Sequence, residues 1–587
     1  MYDKVIKGGT VVDGTGSKAF TADVAIKDRM IVEIGKLSSQ AKETIDADGL
    51  LVTPGWVDIH THYDGQATWD SQLAPSFWHG VTSVMMGNCG VGFAPAQPEK
   101  HEWLIGLMEG VEDIPGTALA DGIQWDWETF PEYLDALSRR KHALNVGAQL
   151  SHGALRAYVM GERGARNEAA TQTDILEMAR FVSEAQAAGA FGFSTSRTLV
   201  HRAIDGERVP GTFAAIEELQ AIVEAVAKSG HGLVEVAPAG LTGDDLVAPT
   251  KEVAWMNDLS SRFGVVITFL CPQNMVRPEY WRAQLAECAK GRLRGARVVP
   301  QVFGRSTGSL ISLASKFHPF HSSPTLRSLQ SLPHEEQVRR LTEDPELRWR
   351  VAQEATVGAP DGRPRDGNDE YQALFRDPWP FMYRVGDAVD YEPDPANSIA
   401  GTAARQGRDP REVALDVLLE NGGHGLINYH LLGYAHGNLD AHHEMLADNQ
   451  TVLGGSDGGA HVTVICDGGM PTFMLTHWVR DRTRGSRFPL EYMVKKQTAD
   501  TAKLFGLWDR GQIKPGLRAD LNVIDFPALS FDRPTMVYDL PTGAARLMQR
   551  ARGYVTTLVN GEQIQINGED TGLRPGEVLR SRHIQTL

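Results

Sequence analysis

The chain is poor in cysteine: four residues, Cys89, Cys271, Cys288 and Cys466, widely spaced and with no CxxC pair. That argues against a disulfide framework and for a reducing compartment, so the expected location is cytoplasmic. There is no run of 18 apolar residues to span a membrane, and the opening stretch MYDKVIKGGTVVDGTG lacks the apolar core of a signal peptide. Basic residues are in deficit: 58 Lys and Arg against 74 Asp and Glu give a formal net charge of -16. A general nucleic-acid binder needs a basic stripe to neutralise phosphates, so that class is not expected. The Gly161-Glu162-Arg163-Gly164 run is not a phosphate loop, because the spacing is wrong and no lysine follows. Internal repeats and low-complexity segments are also missing.

What is present is an ordinary globular balance, 42% apolar and 22% charged over 587 residues, enough to bury a large core. Length alone suggests two to four domains, or one large barrel with additions. Residues 1–55 alternate apolar and polar positions between Gly and Asp punctuation, as short strands do, and the texture returns at 511–526 and 554–568. Two β-rich ends predict one small β-sandwich built from 1–55 and 506–587 around an enclosed domain at 56–505. The middle alternates strand-like runs (GWVDIHTH, VTSVMMGNCG, LNVGAQLSHG, AFGFSTSR, GLVEVAP, GVVITFLCP, RVVPQVFG, TVLGGSDGGAH) with amphipathic helical runs. Eight strands with interleaved helices predict an α/β fold, a TIM-like (β/α)8 barrel. Residues 91–143 and 305–450 are long excursions, of the kind that become lids, specificity loops or oligomer contacts. The charged stretch 333–355 in the second reads as surface helices, and the His442-His443-Glu444 cluster as a solvated helix face.

Chemistry concentrates at strand ends. In Asp58-Ile59-His60-Thr61-His62-Tyr63-Asp64, strand alternation puts Asp58, His60 and His62 on one face. Two imidazoles at that spacing grip one divalent metal, and Asp58 or Asp64 can fix a ring tautomer. The bland alternative is two surface histidines in a turn. Cys89, in Gly87-Asn88-Cys89-Gly90, reads either as a thiolate ligand on the same rim or as a small buried hydrophobe. Asp457, in Gly454-Gly455-Ser456-Asp457-Gly458-Gly459-Ala460-His461, reads either as a ligand and proton acceptor or as an Asp-Gly turn. His152 and His461 are candidates to polarise a carbonyl or stabilise an oxyanion, and each also reads as a structural histidine. Arg197, His201 and Asn88 are substrate-binding candidates, with an ion pair as the alternative for Arg197. Glu235 interrupts an apolar run, so it either faces the rim or is paired inside.

The stretches HTHYDGQATWD, GVTSVMMGNCGVGFAP, SHGALR, SDGGAH and DRGQIKPGLRADLNVIDF resemble the amidohydrolase superfamily, and within it the N-acyl-D-amino-acid deacylase (D-aminoacylase) family. The GNCG motif marks that branch, and the resemblance runs over essentially the whole chain. It implies a metal-dependent hydrolase of amide-type C–N bonds. His60, His62, Cys89 and Asp457 match the family's first-strand pair, metal-binding cysteine and catalytic aspartate. Family deacylases add a histidine on the fifth strand and another on the sixth; here Ala237 and Phe269 stand in those places, and there is no strand lysine to bridge two metals. The expectation is therefore one divalent ion, Zn2+ on donor type, held by His60, His62 and Asp457 with Cys89 close or ligating. The expected partner is a small-molecule substrate, with self-association into a homo-oligomer left open. Cleavage of a cyclic amide, carbamate or lactone is the enzymatic alternative, since the same water attack serves them. A non-catalytic binding scaffold is the alternative of another class.

Overall fold

The computed structural model describes residues 1–38, 40–243, 245, 247–315, 318–321, 323–355 and 377–581. Its two ends meet in a nine-stranded sheet. Strand Tyr2–Val11 runs antiparallel to Phe20–Lys27 on one side. On the other it pairs in parallel with Ala41–Asp46 along its first half and with Leu51–Pro54 along its second. Leu51–Pro54 then takes Leu521–Ile524 as its antiparallel neighbour, and Tyr554–Val559 and Glu562–Ile566 follow outward. One long strand that serves two partners on one edge makes the sheet continuous, where two facing sheets were expected. Its buried face gathers Ile6, Val24, Ile26, Val52, Leu521, Val523 and Leu558 into one apolar cluster.

The middle of the chain supplies parallel strands in two arcs. The first arc is Trp56–Asp58, Val81–Met86 and Asn145–Ala148. The second runs Leu150–Ser151, Gly192–Ser196, Leu233–Ala237, Val266–Leu270, Arg297–Phe303 and Val452–Gly454. One residue, Gln149, separates the arcs on one side, and an isolated parallel bridge between Thr61 and Gly458 links their other ends. These strands are almost wholly buried, as parallel strands covered on both faces should be. The covering helices fall between them: Gln172–Ala188, which starts in a reciprocal Thr171–Asp174 capping box, then Ile216–Ser229, Ala248–Phe263 and Tyr280–Arg292.

The two excursions behave differently. Residues 91–143 fold as helices, of which His101–Glu112 reaches the strand ends. The described residues of 305–450 build a unit with its own core, in which strand Ile427–Leu432 lies antiparallel between Thr307–Ile311 and Met382–Arg384. Ile311, Phe320, Leu341, Val351, Ile399 and Leu418 pack in a cluster separate from that of the parallel strands. The charged stretch forms helices His334–Glu343 and Pro345–Glu354, exposed except for an apolar stripe. Residues 356–376 of this excursion lie outside the described residues. His442 is buried against Gly433 rather than solvated, because its helix Asp440–Ala447 turns that face inward. All four cysteines are free and buried. Among the described residues no helix is long and apolar enough to cross a membrane.

Candidate metal centre

The first strand ends at Asp58, and the next residues stay extended beside the last strand's exit. Thr61 bridges Gly458, the His62 N–H donates to the Gly458 carbonyl at 2.8 Å, and the Asp457 N–H donates to the His60 carbonyl at 3.1 Å. This pairing puts the HxH segment and Asp457 side by side. The two imidazole centroids are 5.4 Å apart, edge to face. His60, His62 and Cys89 each offer a ligand atom within 4.8 Å of one another. Cys89 Sγ lies 3.3 Å from His60 Nε2, and Asp457 Oδ1 lies 3.5 Å from His60 Nε2 and 3.7 Å from His62 Nε2.

Backbone strain accompanies this convergence. Cys89, Asp457 and His461 all adopt left-handed conformations, with φ of 54°, 49° and 49°. Such values are uncommon outside glycine and persist only where surroundings impose them. Glycines make them reachable: a Cβ on Gly87 would sit 2.3 Å from the Gln149 carbonyl, and one on Gly90 2.6 Å from the Ser196 nitrogen. The GNCG and SDGG motifs are thus turns that aim one side chain each. The Cys89 N–H donates to Glu235 Oε2 at 2.9 Å, so the fifth-strand carboxylate holds the turn and faces the rim.

Each imidazole has a second polar neighbour behind it. His60 Nδ1 meets Gln301 Oε1 at 3.1 Å, and His62 Nδ1 lies 3.3 Å from Glu112 Oε1. Asp58 and Asp64, expected to orient a ring, instead take other partners. Asp58 accepts from the Ser456 hydroxyl at 2.5 Å, and Asp64 accepts from the Gly87 N–H at 3.2 Å. Their short side chains are captured by the two neighbouring turns before they can reach an imidazole nitrogen. Gln301 and Glu112 carry no motif signal. Glu112 comes from the 91–143 excursion, whereas Glu235 announces itself as a charge inside an apolar run.

The electrostatics suit a cation. Burial pushes Glu235 up to about 8 and Asp58 and Asp64 up to about 7. Burial pulls His60 down to about 4. Burial also opposes charge on His62, but Glu112, Asp457 and Asp64 outweigh it and lift this ring to about 9. Burial works against charge on Asp457, but the imidazoles of His62, His60 and His461 around it prevail and hold it well below the usual carboxylate range. Burial, then the Glu235 and Glu112 charges, raise the Cys89 thiol. Glu112 Oε1, Glu235 Oε1 and His62 Nδ1 are buried without an aligned hydrogen-bond partner. Buried carboxylates around two imidazoles and a thiol, with orphaned acceptors among them, fit a divalent metal by donor chemistry.

The remaining candidates divide. His201 and His461 lie close enough to affect the rim: burial, then the charges of His461 and His62, depress His201 to about 3. His201 Nδ1 meets the Ser196 hydroxyl at 2.9 Å, and His461 Nε2 lies 3.6 Å from Glu112 Oε2. The other three are held by different partners. Both ring nitrogens of His152 are taken, by Thr195 Oγ1 and by Glu218 Oε1, each at 2.8 Å. Asn88 donates to the carbonyls of Thr61 and Met85 and accepts from Gln149, which uses it to brace the turn. Arg197 spends Nε on Glu252 at 2.9 Å and Nη1 on the Ala214 carbonyl at 3.0 Å.

The family model described as "Amidohydrolase family" matches residues 43–565. D-aminoacylase from Alcaligenes xylosoxydans xylosoxydans is 27% identical over 584 residues, which span 98% of this chain and 97% of that one. A solved structure of D-aminoacylase, from work on its binuclear metal centre with one-metal activation and second-metal attenuation, superposes with a TM-score of 0.64 at 23% identity over 99% of this chain and 100% of that one. N-acyl-D-glutamate deacylase from Bordetella bronchiseptica, complexed with zinc and a phosphonate mimic of the tetrahedral intermediate, superposes with a TM-score of 0.61 at 23% identity over 99% of this chain and 100% of that one.

Proposed function

The chain belongs to the amidohydrolase family, and on that footing we propose that it is a mononuclear metal-dependent hydrolase of amide-type C–N bonds, acting on an N-acyl amino acid or a related N-acyl amide. The observation that carries this reading is the convergence of His60, His62 and Cys89, with Asp457 Oδ1 3.5 and 3.7 Å from the two imidazoles. His60, His62 and Asp457 would hold the ion, with Cys89 beside it, and zinc is the choice that suits imidazole, thiol and carboxylate together. The zinc-bound deacylase relative supports that choice. We read one ion rather than two because Ala237 and Phe269, which stand where the resemblance implies two further histidines, are both buried and apolar. The two parallel arcs then read as one (β/α)8 barrel closed at the Thr61–Gly458 bridge, with 1–55 and 506–587 as a composite terminal domain. The four free cysteines favour a cytoplasmic setting.

When bound, the metal polarises water and the scissile carbonyl. Asp457, held ionised at neutral pH, takes the proton released as water oxygen bonds to the amide carbon. The Asp457 carboxyl then returns that proton to the leaving nitrogen as the C–N bond breaks. His201 is neutral at working pH, so it offers hydrogen bonds without adding positive charge. His461, 23% exposed, stands where solvent or substrate reaches the rim. The test is elemental analysis of untagged protein beside His60→Ala, followed by a screen of N-acyl-D-amino acids. One metal per chain, lost in the variant, and release of a free amine plus a carboxylate are expected. Two metals would restore a binuclear centre, and no metal in folded protein would sink the hydrolase reading.

A further inference from the structure

Helix His101–Glu112 places its last residue at the metal rim. Asp113 follows with φ of 49°, which turns the chain away and leaves Glu112 facing inward. A carboxylate on the final residue of a helix opposes the helix dipole, so helix stability does not account for a glutamate there. Its side chain is 2% exposed. Burying such a group is costly unless it is paired. Glu112 stands between two rim histidines: Oε1 is 3.3 Å from His62 Nδ1, and Oε2 is 3.6 Å from His461 Nε2. Its own carbonyl accepts the His461 N–H, and the neighbouring Asp113 accepts from the Thr463 hydroxyl. The main-chain carbonyl and Asp113 thus already dock the 457–465 loop on the helix end. The Glu112 carboxylate adds something they do not.

We propose that Glu112 is a positioning residue that fixes the His62 ring with Nε2 aimed at the metal and ties that ring to His461. An imidazole has two nitrogens on opposite sides, so whatever engages Nδ1 sets the aim of Nε2 and the basicity of the ligand. His62 presents Nε2 toward Asp457 at 3.7 Å and Nδ1 toward Glu112, the orientation this role requires. The inference rests on the reading above that His62 is a ligand. It is tested by Zn2+ affinity, measured by competition with a chromogenic chelator, for the wild type, Glu112→Ala and Glu112→Gln, with thermal unfolding recorded for each. Glu112→Ala is expected to bind zinc about 10–100-fold more weakly. Glu112→Gln, which keeps an acceptor oxygen beside Nδ1, should recover part of that loss. If Glu112→Ala does not fold, Glu112→Gln carries the test with an expected loss of several-fold. Affinity within twofold of wild type in a folded variant would overturn the proposal, whatever happens to unfolding. A wild-type chain that takes up no zinc would instead overturn the metal-centre reading, and this proposal with it.

Discussion

The buried histidine–carboxylate clusters at His152 and at His62 are built to opposite rules. At His152 both ring nitrogens are bonded, to Thr195 and to Glu218, and Arg156 completes the group by donating to Glu218. At His62 the ring faces two carboxylates, yet Nδ1 and Glu112 Oε1 lack an aligned hydrogen bond. Satisfaction of buried polar groups is the rule in native structures, and at His152 both ring nitrogens and the carboxylate obey it, with Arg156 Nε the one atom left over, which suits a scaffold. The open one keeps costly unpaired atoms, and it does so beside three residues with left-handed backbones. A histidine in a sequence motif therefore says little about role; what its second nitrogen touches says more.

The comparison breaks first at Asp457. If the open cluster carries the chemistry, Asp457→Asn should lower kcat by about a thousandfold, within the range for loss of a general acid–base, while elemental analysis finds the metal largely retained. Near wild-type turnover in that variant would move the reaction away from this rim.

The open cluster was also the legible one. His60-x-His62, Gly87-Asn88-Cys89-Gly90 and Ser456-Asp457-Gly458-Gly459 are short motifs at strand ends, so local pattern and strand order suffice to bring them together. Among the described residues, the parallel strands of both arcs fall within runs readable as strands, with Asn145–Ala148 and Leu150–Ser151 sharing one run, because buried parallel strands are continuous apolar stretches. Glu112 was not legible. It belongs to a helix in an irregular excursion, and its distance from His62 is set by how that helix docks, which no local period encodes. The separate core of 305–450 escaped for the same reason: its strands Thr307–Ile311, Met382–Arg384 and Ile427–Leu432 are far apart in sequence and recognise one another only after the chain has turned. His152 shows the converse. It ends a strand-like run just as a ligand would, and Glu218, arriving from helix Ile216–Ser229, occupies its second ring nitrogen.

That makes Glu218 the next place to press. Burial works to raise its carboxyl, but the hydrogen bond from His152 and the charge and hydrogen bonds of Arg156 prevail and hold it at about 2, below its ordinary 4.5. Burial meanwhile lowers His152, so the ring is a neutral donor and Arg156 supplies the balancing charge. Glu218→Gln should cost about 3 kcal/mol in urea unfolding at pH 7, since it leaves a buried arginine without its partner. The sign of the pH dependence follows from the depressed value: the stabilisation is complete above 4.5 and fades as pH falls toward about 2. The gap between wild type and variant should accordingly narrow across that window. A gap that stays constant would mean the carboxylate's charge contributes nothing, and zinc affinity that fell along with stability would erase the distinction between the two clusters.

The smallest effect is expected at Arg197, which tests whether the scaffold rule extends beyond histidine. Its guanidinium is only 14% exposed and pairs with Glu252, itself 7% exposed, while Nη1 closes on the Ala214 carbonyl. With Nε and Nη1 committed, turning the guanidinium toward a substrate carboxylate would strand Glu252. Arg197→Gln should therefore lower stability by about 1–2 kcal/mol and leave KM for an anionic N-acyl substrate within about twofold. A tenfold rise in KM is worth about 1.4 kcal/mol of binding. If it appeared for anionic substrates and not for neutral ones, the Arg197–Glu252 pair would have to open during binding. The line between scaffold and site would then be drawn by motion rather than by which hydrogen bonds are already made.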